Sequence, residues 1–176
     1  MNGAVYMADL VEGQKTGLFF DQRPNHAFAA RLAKGARVLD VFSHVGGFSL
    51  AALAGGAISA LAVDGSASAL QLAEQGAHAS GFGDCFTTRK GDAFDVLEAL
   101  HAEAAKFDVV ICDPPAFVPN KRALEAGLRA YERVARMAAP LVAENGYLGL
   151  CSCSHAAALQ TFRTASVRGI GRAGSS

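Results

Sequence analysis

The chain has 176 residues, enough for one domain with a buried core of useful size. Its 16 basic and 16 acidic residues cancel, so the overall charge provides no support for nucleic-acid binding. The chain starts without the basic region and apolar core of a secretory signal, so its four cysteines are expected to be free thiols in a reducing cytoplasm, and no membrane association is expected.

The first part of the chain is predicted to be a linking segment outside the main domain. Two short apolar runs, at 4–11 and 18–21, flank the polar loop EGQKTG, a pattern typical of a β-hairpin. We therefore assign residues 1–23 to an N-terminal hairpin or linker and residues 24–176 to the main domain.

The main domain is predicted to alternate strands with helices. It opens with a helix, for which Asp21 is the candidate N-cap, Pro24 suits the first turn and Gly35 marks the end. Unbroken apolar runs, typical of strands buried on both faces, then alternate with segments of helical spacing. The predicted strands are 36–42, 57–64, 85–92, 107–113 and 146–154, and the predicted helices are 47–56, 66–80, 93–104, 121–143 and a last one from about 155. The Gly/Ser-rich tail, 167–176, is expected to fray.

Repeated β–α units of this kind predict a parallel sheet covered by helices on both faces, a doubly wound α/β fold. Ligands of such sheets bind beyond the carboxyl ends of the strands. The residues that follow each predicted strand are therefore the candidates for a functional site.

A glycine-rich turn, within DVFSHVGGFS (40–49), follows the first strand. Gly46 and Gly47 allow the backbone to turn sharply and to approach a ligand closely. The spacing is not G-x-G-x-x-G, and no Lys-Ser/Thr pair follows as in a P-loop, so neither nucleotide-binding motif is present. A tight turn that packs a helix on the strand is the alternative interpretation.

Acidic residues follow the second and third predicted strands. Asp64 is placed to accept hydrogen bonds from the ribose hydroxyls of a nucleoside cofactor, and Asp92, with Ala93, is placed to lie near an adenine base. Each aspartate has a structural alternative, because it precedes a predicted helix and can cap its first turn.

The segment DPPAF (113–117) after the fourth strand is stiff, because each proline fixes its own backbone and restricts the residue before it. The segment is predicted to form a rigid loop at the site, with Phe117 available to stack on a planar substrate. A purely structural turn is the alternative.

Two cysteines lie at the end of the fifth predicted strand, in CSCSH (151–155). Cys151 is one residue inside the apolar run and is predicted to be buried, whereas Cys153 is at the rim, facing the same cleft as Asp113. The spacing suits neither a zinc site nor, for two side chains on one face of a strand, a disulfide. A thiol at position 153 is a candidate nucleophile, and a small residue at a strand end is the alternative.

The predicted helix 121–143 has a basic face. Between residues 119 and 137 five basic side chains stand against two acidic ones, namely Lys121, Arg122, Arg129, Arg133 and Arg136 against Glu125 and Glu132. The simplest interpretation of so modest an excess is a solvated helix surface.

These segments resemble class I S-adenosylmethionine (SAM)-dependent methyltransferases, and within them the ribosomal RNA large-subunit methyltransferase I family of bacterial RNA cytosine-5 enzymes. The resemblance covers most of residues 4–160, and four segments carry it: GQKTGLFFDQRPNH (13–26), VLDVFSHVGGFSLAAL (38–53), FDVVICDPPAFV (107–118) and LCSCSH (150–155). The resemblance implies SAM as the cofactor and RNA, ribosomal in this family, as the substrate.

The resemblance also implies roles for individual residues. Cys153 aligns with the family's nucleophile, and Asp113 lies beside the methyl group and the target base. In this chemistry a thiolate adds to C6 of cytosine and makes C5 nucleophilic, while an acidic group near N3 and N4 stabilises the charge. A base in folded RNA must leave its stack to enter such a site. The implied cofactor-binding residues are Lys15, Thr16, Phe19, Asp21, Arg23, Asp40, Phe42, Ser43, Gly46, Gly47, Asp64, Ser66, Asp92, Ala93, Asp113 and Pro114.

The chain departs from the family pattern at several places. Ala116 stands where the family has lysine in the DPP motif. The family's N-terminal RNA-binding PUA domain and its last two strands are expected to be absent from this chain. The fifth strand is then expected to be an exposed apolar edge. Either the chain is a fragment, or something else covers that edge, such as a second copy in a homodimer.

Other functions are open from the sequence. One is methylation of a base amino group, which Ala116 disfavours because those enzymes have an aromatic residue at that position. Another is a SAM-binding module without catalysis, as the expected missing parts would allow. A nicotinamide-dependent dehydrogenase is disfavoured by the glycine spacing and by the pairing of a DPP motif with a cysteine.

Overall fold

The fold is described by a computed structural model that covers residues 3–8, 22–154 and 156–173. Its elements are α1 (Arg23–Leu32), β1 (Arg37–Val41), α2 (Gly47–Ala54), β2 (Ser59–Asp64), α3 (Ala67–Ala79), β3 (Phe86–Lys90), α4 (Ala93–Ala102), β4 (Phe107–Cys112), α5 (Leu124–Ala138), β5 (Val142–Leu150) and α6 (Leu159–Ala173). Short 3₁₀ turns lie before β3 (Gly83–Cys85) and on either side of α5 (Lys121–Ala123 and Ala139–Leu141).

The five strands form one parallel sheet in the order β3-β2-β1-β4-β5. This arrangement confirms the predicted doubly wound α/β fold. The chain moves outward from β1 to β3 and then returns to place β4 on the other side of β1. The carboxyl ends of β1 and β4 therefore flank the crevice in which sheets of this type bind ligands.

The inner strands β1, β2 and β4 are covered on both faces, which explains their unbroken apolar runs. On one face, residues of α1, α2 and α3 pack around alternate strand residues such as Val38 and Ala62. On the other face, Leu39 and Val110 pack against α4 and α5, with Leu97 and Val134 among the contributing side chains. Replacing a fully buried leucine such as Leu39 by alanine is expected to cost about 2–5 kcal/mol.

The fifth strand and its flanking helices differ from the predicted bounds. The predicted helix 121–143 ends at Ala138, because Pro140 follows within a 3₁₀ turn. The strand then begins at Val142 and ends at Leu150, so both cysteines of the CSCS segment lie in a loop rather than on a strand. The argument from side chains on one strand face therefore does not apply to them, although all four cysteines of the chain are free thiols.

The chain termini also differ in part from the sequence-based expectations. Residues 167–173 belong to α6 instead of fraying, since Ala165, Ser166 and Gly169 are buried, and Gly169 lies against α5. At the other end, α1 has Gln22 at its N-cap position, and Asp21 lies outside the described residues. No strand is present in residues 3–8, and the rest of the predicted hairpin also lies outside the described residues, so the domain boundary at residue 23 stays a prediction.

β5 is the outer strand of the sheet on its side, as expected. Its side chains are mostly only partly buried, and Tyr147 is 53% exposed. No helix in the described part of the chain is long and apolar enough to cross a membrane.

Candidate active site

The glycine-rich turn after β1 holds its backbone in an unusual conformation. Phe42 and His44 have backbone φ values of 63° and 49°, which residues other than glycine rarely adopt, and Gly46 follows with a φ of 78°. A non-glycine residue costs of order 1–3 kcal/mol in such a region. The surrounding packing must therefore impose this shape, as is common where a loop is preorganised to bind a ligand.

Two aromatic side chains from the N-terminal part of the chain support this turn. The Tyr6 hydroxyl donates to the Gly47 carbonyl oxygen at 3.4 Å, and burial raises the pKa of this phenol to about 12. The His26 ring packs edge-on against Phe48, 4.5 Å between centroids. A Cβ on Gly47 would lie 2.6 Å from that imidazole, so only glycine fits without displacing it. Neither Tyr6 nor His26 was singled out from the sequence, although His26 ends the GQKTGLFFDQRPNH segment.

Asp40 is completely buried at the end of β1. One carboxylate oxygen, Oδ2, accepts from the Ser49 backbone N–H at 2.9 Å and from its hydroxyl at 2.8 Å. The other, Oδ1, and the nearby buried Ser43 hydroxyl have no hydrogen-bond partner among the described residues. Burial raises the pKa of Asp40 to about 7, opposed by the Ser49 hydrogen bonds and assisted by the charges of Asp113 and Asp64. The turn thus retains buried acceptors that a donor group of a ligand can satisfy.

Asp64 fastens the turn to the end of β2. Its Oδ2 accepts from the His44 backbone N–H and its Oδ1 from the Ser66 backbone N–H, both at 2.8 Å. The cap of α3 is Ser66 itself, whose hydroxyl accepts from the Ala69 N–H at 3.2 Å. Asp64 is therefore not the helix cap that the alternative interpretation required. Each of its oxygens keeps a second lone pair, which a ribose hydroxyl can use.

Asp92 is the N-cap of α4. It accepts from the backbone N–H groups of Phe94, at 2.9 Å, and Asp95, at 3.4 Å, and Ala93 begins the helix. Capping is thus a sufficient structural reason for Asp92. A contact of Asp92 and Ala93 with adenine stays a prediction.

The DPPAF loop leaves β4 beside the glycine-rich turn. The Asp113 backbone N–H donates to the Val41 carbonyl oxygen at 3.2 Å, which joins the ends of β4 and β1. Phe117 packs edge-on against Phe42, 6.2 Å between centroids, and against Tyr131, 5.0 Å away. Its contacts are thus with protein rings, and its predicted stacking on a substrate stays a prediction.

The second cysteine of the CSCS loop faces the DPP loop. Cys153 is exposed, and its Sγ lies 3.8 Å from the carbonyl oxygen of Pro114. Cys153 and Asp113 therefore belong to adjacent loops at the same edge of the sheet. In the described residues no group of three or more histidine, cysteine or acidic side chains is arranged to hold a metal ion.

Buried hydroxyl groups hold the two loops together beneath Cys153. The Tyr131 hydroxyl of α5 lies 2.6 Å from Ser154 Oγ and accepts from Ser152 Oγ at 3.0 Å. Ser154 Oγ also accepts from the Val118 N–H at 3.1 Å. The serines on either side of Cys153 are thus both tied to Tyr131. This positioning contact could not be read from the sequence, because it joins residues more than 20 positions apart.

Cys151 and Cys112 are in different environments from Cys153. Cys151 is only partly buried rather than fully buried as predicted, and it packs on the α1–α3 side of the sheet. Burial, together with the negative charge of Asp113, raises the pKa of its thiol to about 12. Burial also raises the pKa of the Cys112 thiol. Both thiols are therefore protonated at neutral pH, unlike a working nucleophile.

The structure brings most of the predicted site residues to one edge of the sheet. The glycine-rich turn, Asp64, the DPP loop and Cys153 all follow the carboxyl ends of strands. Arg23 is exposed at the start of α1, the helix whose His26 contacts the turn. Four predicted cofactor-binding residues lie outside the described residues: Lys15, Thr16, Phe19 and Asp21.

Comparison with known proteins shows which protein family the sequence matches. A model of the S-adenosylmethionine-dependent methyltransferase family matches residues 1–166. A protein of Alteromonas mediterranea named ribosomal RNA large subunit methyltransferase I is 42% identical over 154 residues, which are 87% of this chain and 39% of that protein. The chain thus spans about two fifths of the length of the curated relatives it matches.

Solved structures agree with this match. A SAM-dependent methyltransferase structure from Streptococcus mutans is 26% identical, with a TM-score of 0.81 over 92% of this chain and 42% of that one. A second methyltransferase structure, complexed with SAH, is also 26% identical, with a TM-score of 0.80 over 90% of this chain and 42% of that one.

Proposed function

The chain belongs to the family of S-adenosylmethionine-dependent methyltransferases, and we propose that it methylates C5 of a cytosine in ribosomal RNA through a cysteine nucleophile. The observation that carries this proposal is the exposed Cys153 thiol, 3.8 Å from the Pro114 carbonyl oxygen of the DPP loop. The printed name of relatives about 40% identical to the chain supports ribosomal RNA as the substrate.

The residues around the turn fit the cofactor of the family. The backbone of 42–47 is preshaped at three positive φ angles, and Asp40 and Ser43 hold buried acceptors beside it that have no partner in the part of the chain that the structure describes. We assign the amino-acid part of the cofactor to this turn and the ribose hydroxyls to Asp64. The cofactor, when bound, supplies an electrophilic methyl group on a sulfonium.

Cys153 and Asp113 are assigned complementary work on the base. The Cys153 thiolate forms a bond to C6, the C5=C6 double bond opens, and its electron pair makes C5 nucleophilic. As the thiolate adds, the Asp113 carboxyl group gives a proton to N3 and accepts a hydrogen bond from the N4 amino group, so the ring does not carry the negative charge of the addition. After methylation a general base removes the C5 proton, the S–C6 bond breaks, N3 returns its proton to Asp113, and the C5=C6 double bond and the thiolate are restored.

A covalent trapping experiment tests this function. RNA that contains 5-fluorocytidine carries fluorine in place of the C5 proton, so elimination is blocked and the enzyme stays bonded to the RNA. We expect a SAM-dependent complex that survives denaturing electrophoresis and is lost in Cys153→Ala. The matched control is Cys85→Ala, because Cys85 is the other exposed thiol and precedes β3 at the opposite end of the strands.

The alternative functions give different results when trapping, methyl transfer to RNA and SAM binding are measured on the unaltered chain and on Cys153→Ala. A methyltransferase acting on a base amino group would transfer labelled methyl groups to RNA in Cys153→Ala as well as in the unaltered chain. A SAM-binding module without catalysis would bind SAM and give neither product nor covalent complex. Loss of SAM binding in Cys153→Ala would assign that residue a structural role.

A further inference from the structure

The charges of this electroneutral chain are unevenly distributed over the fold. Eight of the 16 basic residues lie in α5, α6 and the 3₁₀ turn before α5, and only two of the 16 acidic residues do. The two helices together with this turn therefore carry a net charge of +6, and the rest of the chain carries −6. The overall neutrality that argued against polyanion binding conceals one strongly basic side.

The basic residues converge on a groove between the two helices. The helices run side by side in the same direction, since Tyr131 packs on Phe162 at 5.0 Å and Gly169, further along, lies against the backbone of Glu132 and Arg136. The groove between them has a volume of about 390 Å³. Six side chains line it, and five are arginines: Arg129, Arg133, Arg136, Arg168 and Arg172, with Glu132.

The arginines are not neutralised by the acidic residues around them. Glu132 is 15% exposed and pairs with both Arg168 and Arg172, so a single carboxylate serves two guanidinium groups. Arg129 faces Glu125 at 3.7 Å, a distant and exposed pair that contributes little. Arg133 lies over the Phe94 ring at 4.3 Å. At least two of the five charges thus have no acidic partner within the groove, while stacking and pairing hold several guanidinium groups in place.

Helix α5 connects the edge that carries the proposed active site with the groove. The 3₁₀ turn with Lys121 and Arg122 follows the DPP loop directly, and α5 leads from there down the side of the molecule. At 1.5 Å per residue, Arg136 lies about 20 Å from Arg122 along this path. A flexible polyanion with one unit at the catalytic edge can therefore reach the groove.

We propose that the α5–α6 arginine groove binds the phosphodiester backbone of the RNA substrate outside the catalytic edge. Guanidinium groups suit this ligand, because they remain charged and donate paired hydrogen bonds to phosphate oxygens. The proposal rests on the proposed function only for the choice of RNA as the polyanion. An acidic protein surface is the competing occupant, and a solvated surface without a ligand is the simplest alternative.

The test measures how salt affects the affinity of the full chain for poly(U), which presents a backbone without a cytosine. The variant is Arg129→Gln with Arg136→Gln, since neither residue pairs with Glu132 and both lie at exposed positions of α5. The matched control is Arg31→Gln with Lys34→Gln, which removes the same charge at and just after α1 on the opposite face of the sheet.

The slope of log Kobs against log[salt] is negative, and for a single strand each lost phosphate contact reduces its magnitude by about 0.7. We therefore expect the groove variant to lose about 1.4 from the slope and to bind poly(U) roughly tenfold more weakly near physiological salt. The control is expected to keep both values. Equal losses in both variants, or none in either, would overturn the proposal.

Two further measurements distinguish RNA from an acidic protein as the ligand of the groove, and the groove proposal from the proposed methylation chemistry. Poly-L-glutamate is expected to bind more weakly than poly(U), and tighter binding of the peptide would overturn the proposal in favour of an acidic protein. Trapping on a 5-fluorocytidine trinucleotide, too short to reach the groove, is expected to be equal in the groove variant and the unaltered chain. Failure of that trapping in both, with the salt effect intact, would refute the proposed chemistry and leave the groove assigned.

Discussion

The buried carboxyl of Asp40 makes a specific prediction about how stability depends on pH. Asp40 is completely buried, and its burial raises the pKa from 3.8 to about 7. An acid of this kind binds more protons in the folded than in the unfolded protein between those two values. Stability is therefore expected to be highest at the acidic end of this window and to fall as pH rises through about 7.

The size of the effect follows from the shift. A difference of roughly three pKa units corresponds to about 4 kcal/mol, at 1.36 kcal/mol per unit. Asp40→Asn removes the ionisation and keeps an oxygen that can accept from the Ser49 N–H. We expect the variant to gain up to about 4 kcal/mol on the unaltered chain between pH 4 and pH 8, with most of the change between pH 5 and pH 7.

Urea unfolding of both proteins at several pH values measures this difference, and other titrating groups cancel because both chains contain them. Ser49→Ala supplies a matched perturbation. It removes the hydroxyl hydrogen bond that lowers the Asp40 pKa, so the change is expected to extend to higher pH. A difference between Asp40→Asn and the unaltered chain that stays constant from pH 4 to pH 8 would refute the argument that burial dominates at this carboxyl.

Three other predictions test the site. Tyr131→Phe removes the hydroxyl that ties down the serines on either side of Cys153, and it should lower the free energy of unfolding in urea by about 1–3 kcal/mol. The variant should also slow covalent trapping at Cys153 while the SAM dissociation constant stays unchanged. Equal trapping rates in the variant and the unaltered chain would exclude a positioning role for Tyr131. Iodoacetamide at pH 8 should modify the exposed Cys153 and spare Cys151, as peptide mass spectrometry would show, and preferential labelling of Cys151 would contradict the assigned environments. Gly81→Ala, at a φ of 79° and with open space around the added Cβ, should destabilise by about 1–2 kcal/mol in urea unfolding. Gly46→Ala, at a φ of 78°, would place its Cβ 3.1 Å from the Ala73 side chain of α3, so it should cost more than Gly81→Ala and also weaken SAM binding; equal costs with unchanged SAM binding would contradict the role given to this turn.

The inner strands β1, β2 and β4 were predictable because they are largely buried on both faces and so form unbroken apolar runs. β5 was displaced in the prediction for the opposite reason. It is an outer strand, and its start, AENG, reads as a turn because its polar residues are exposed. Asn145 has a φ of 61°, and the pairing with β4 shifts in register between Phe107 and Val109. A bulge thus carries a turn-like sequence within the strand.

The site residues fall into two groups by how they could be found. Asp64, Asp113 and Cys153 were placed by a topological rule, since parallel strands bring their carboxyl ends to one edge. The residues that support the site could not be found by this rule. Their contacts, such as those of His26 with the glycine-rich turn or of Tyr131 with Ser154, depend on packing between distant segments. Burial of a motif residue also leaves no local trace, so Asp40 could be listed as a ligand but not as a buried acid.

Helix α5 combines two of the proposed roles on opposite faces. Its inner face carries Tyr131, which ties down the loop of Cys153, and its outer face carries Arg129, Arg133 and Arg136. A side chain reaches either the core or the solvent from a given helical position, so the two roles can be changed one at a time. A substitution on the outer face should therefore alter RNA affinity and its salt dependence without changing the reactivity of Cys153 toward a short substrate. A substitution of Tyr131 should do the reverse, and any variant that changed both together would show that the helix itself had moved.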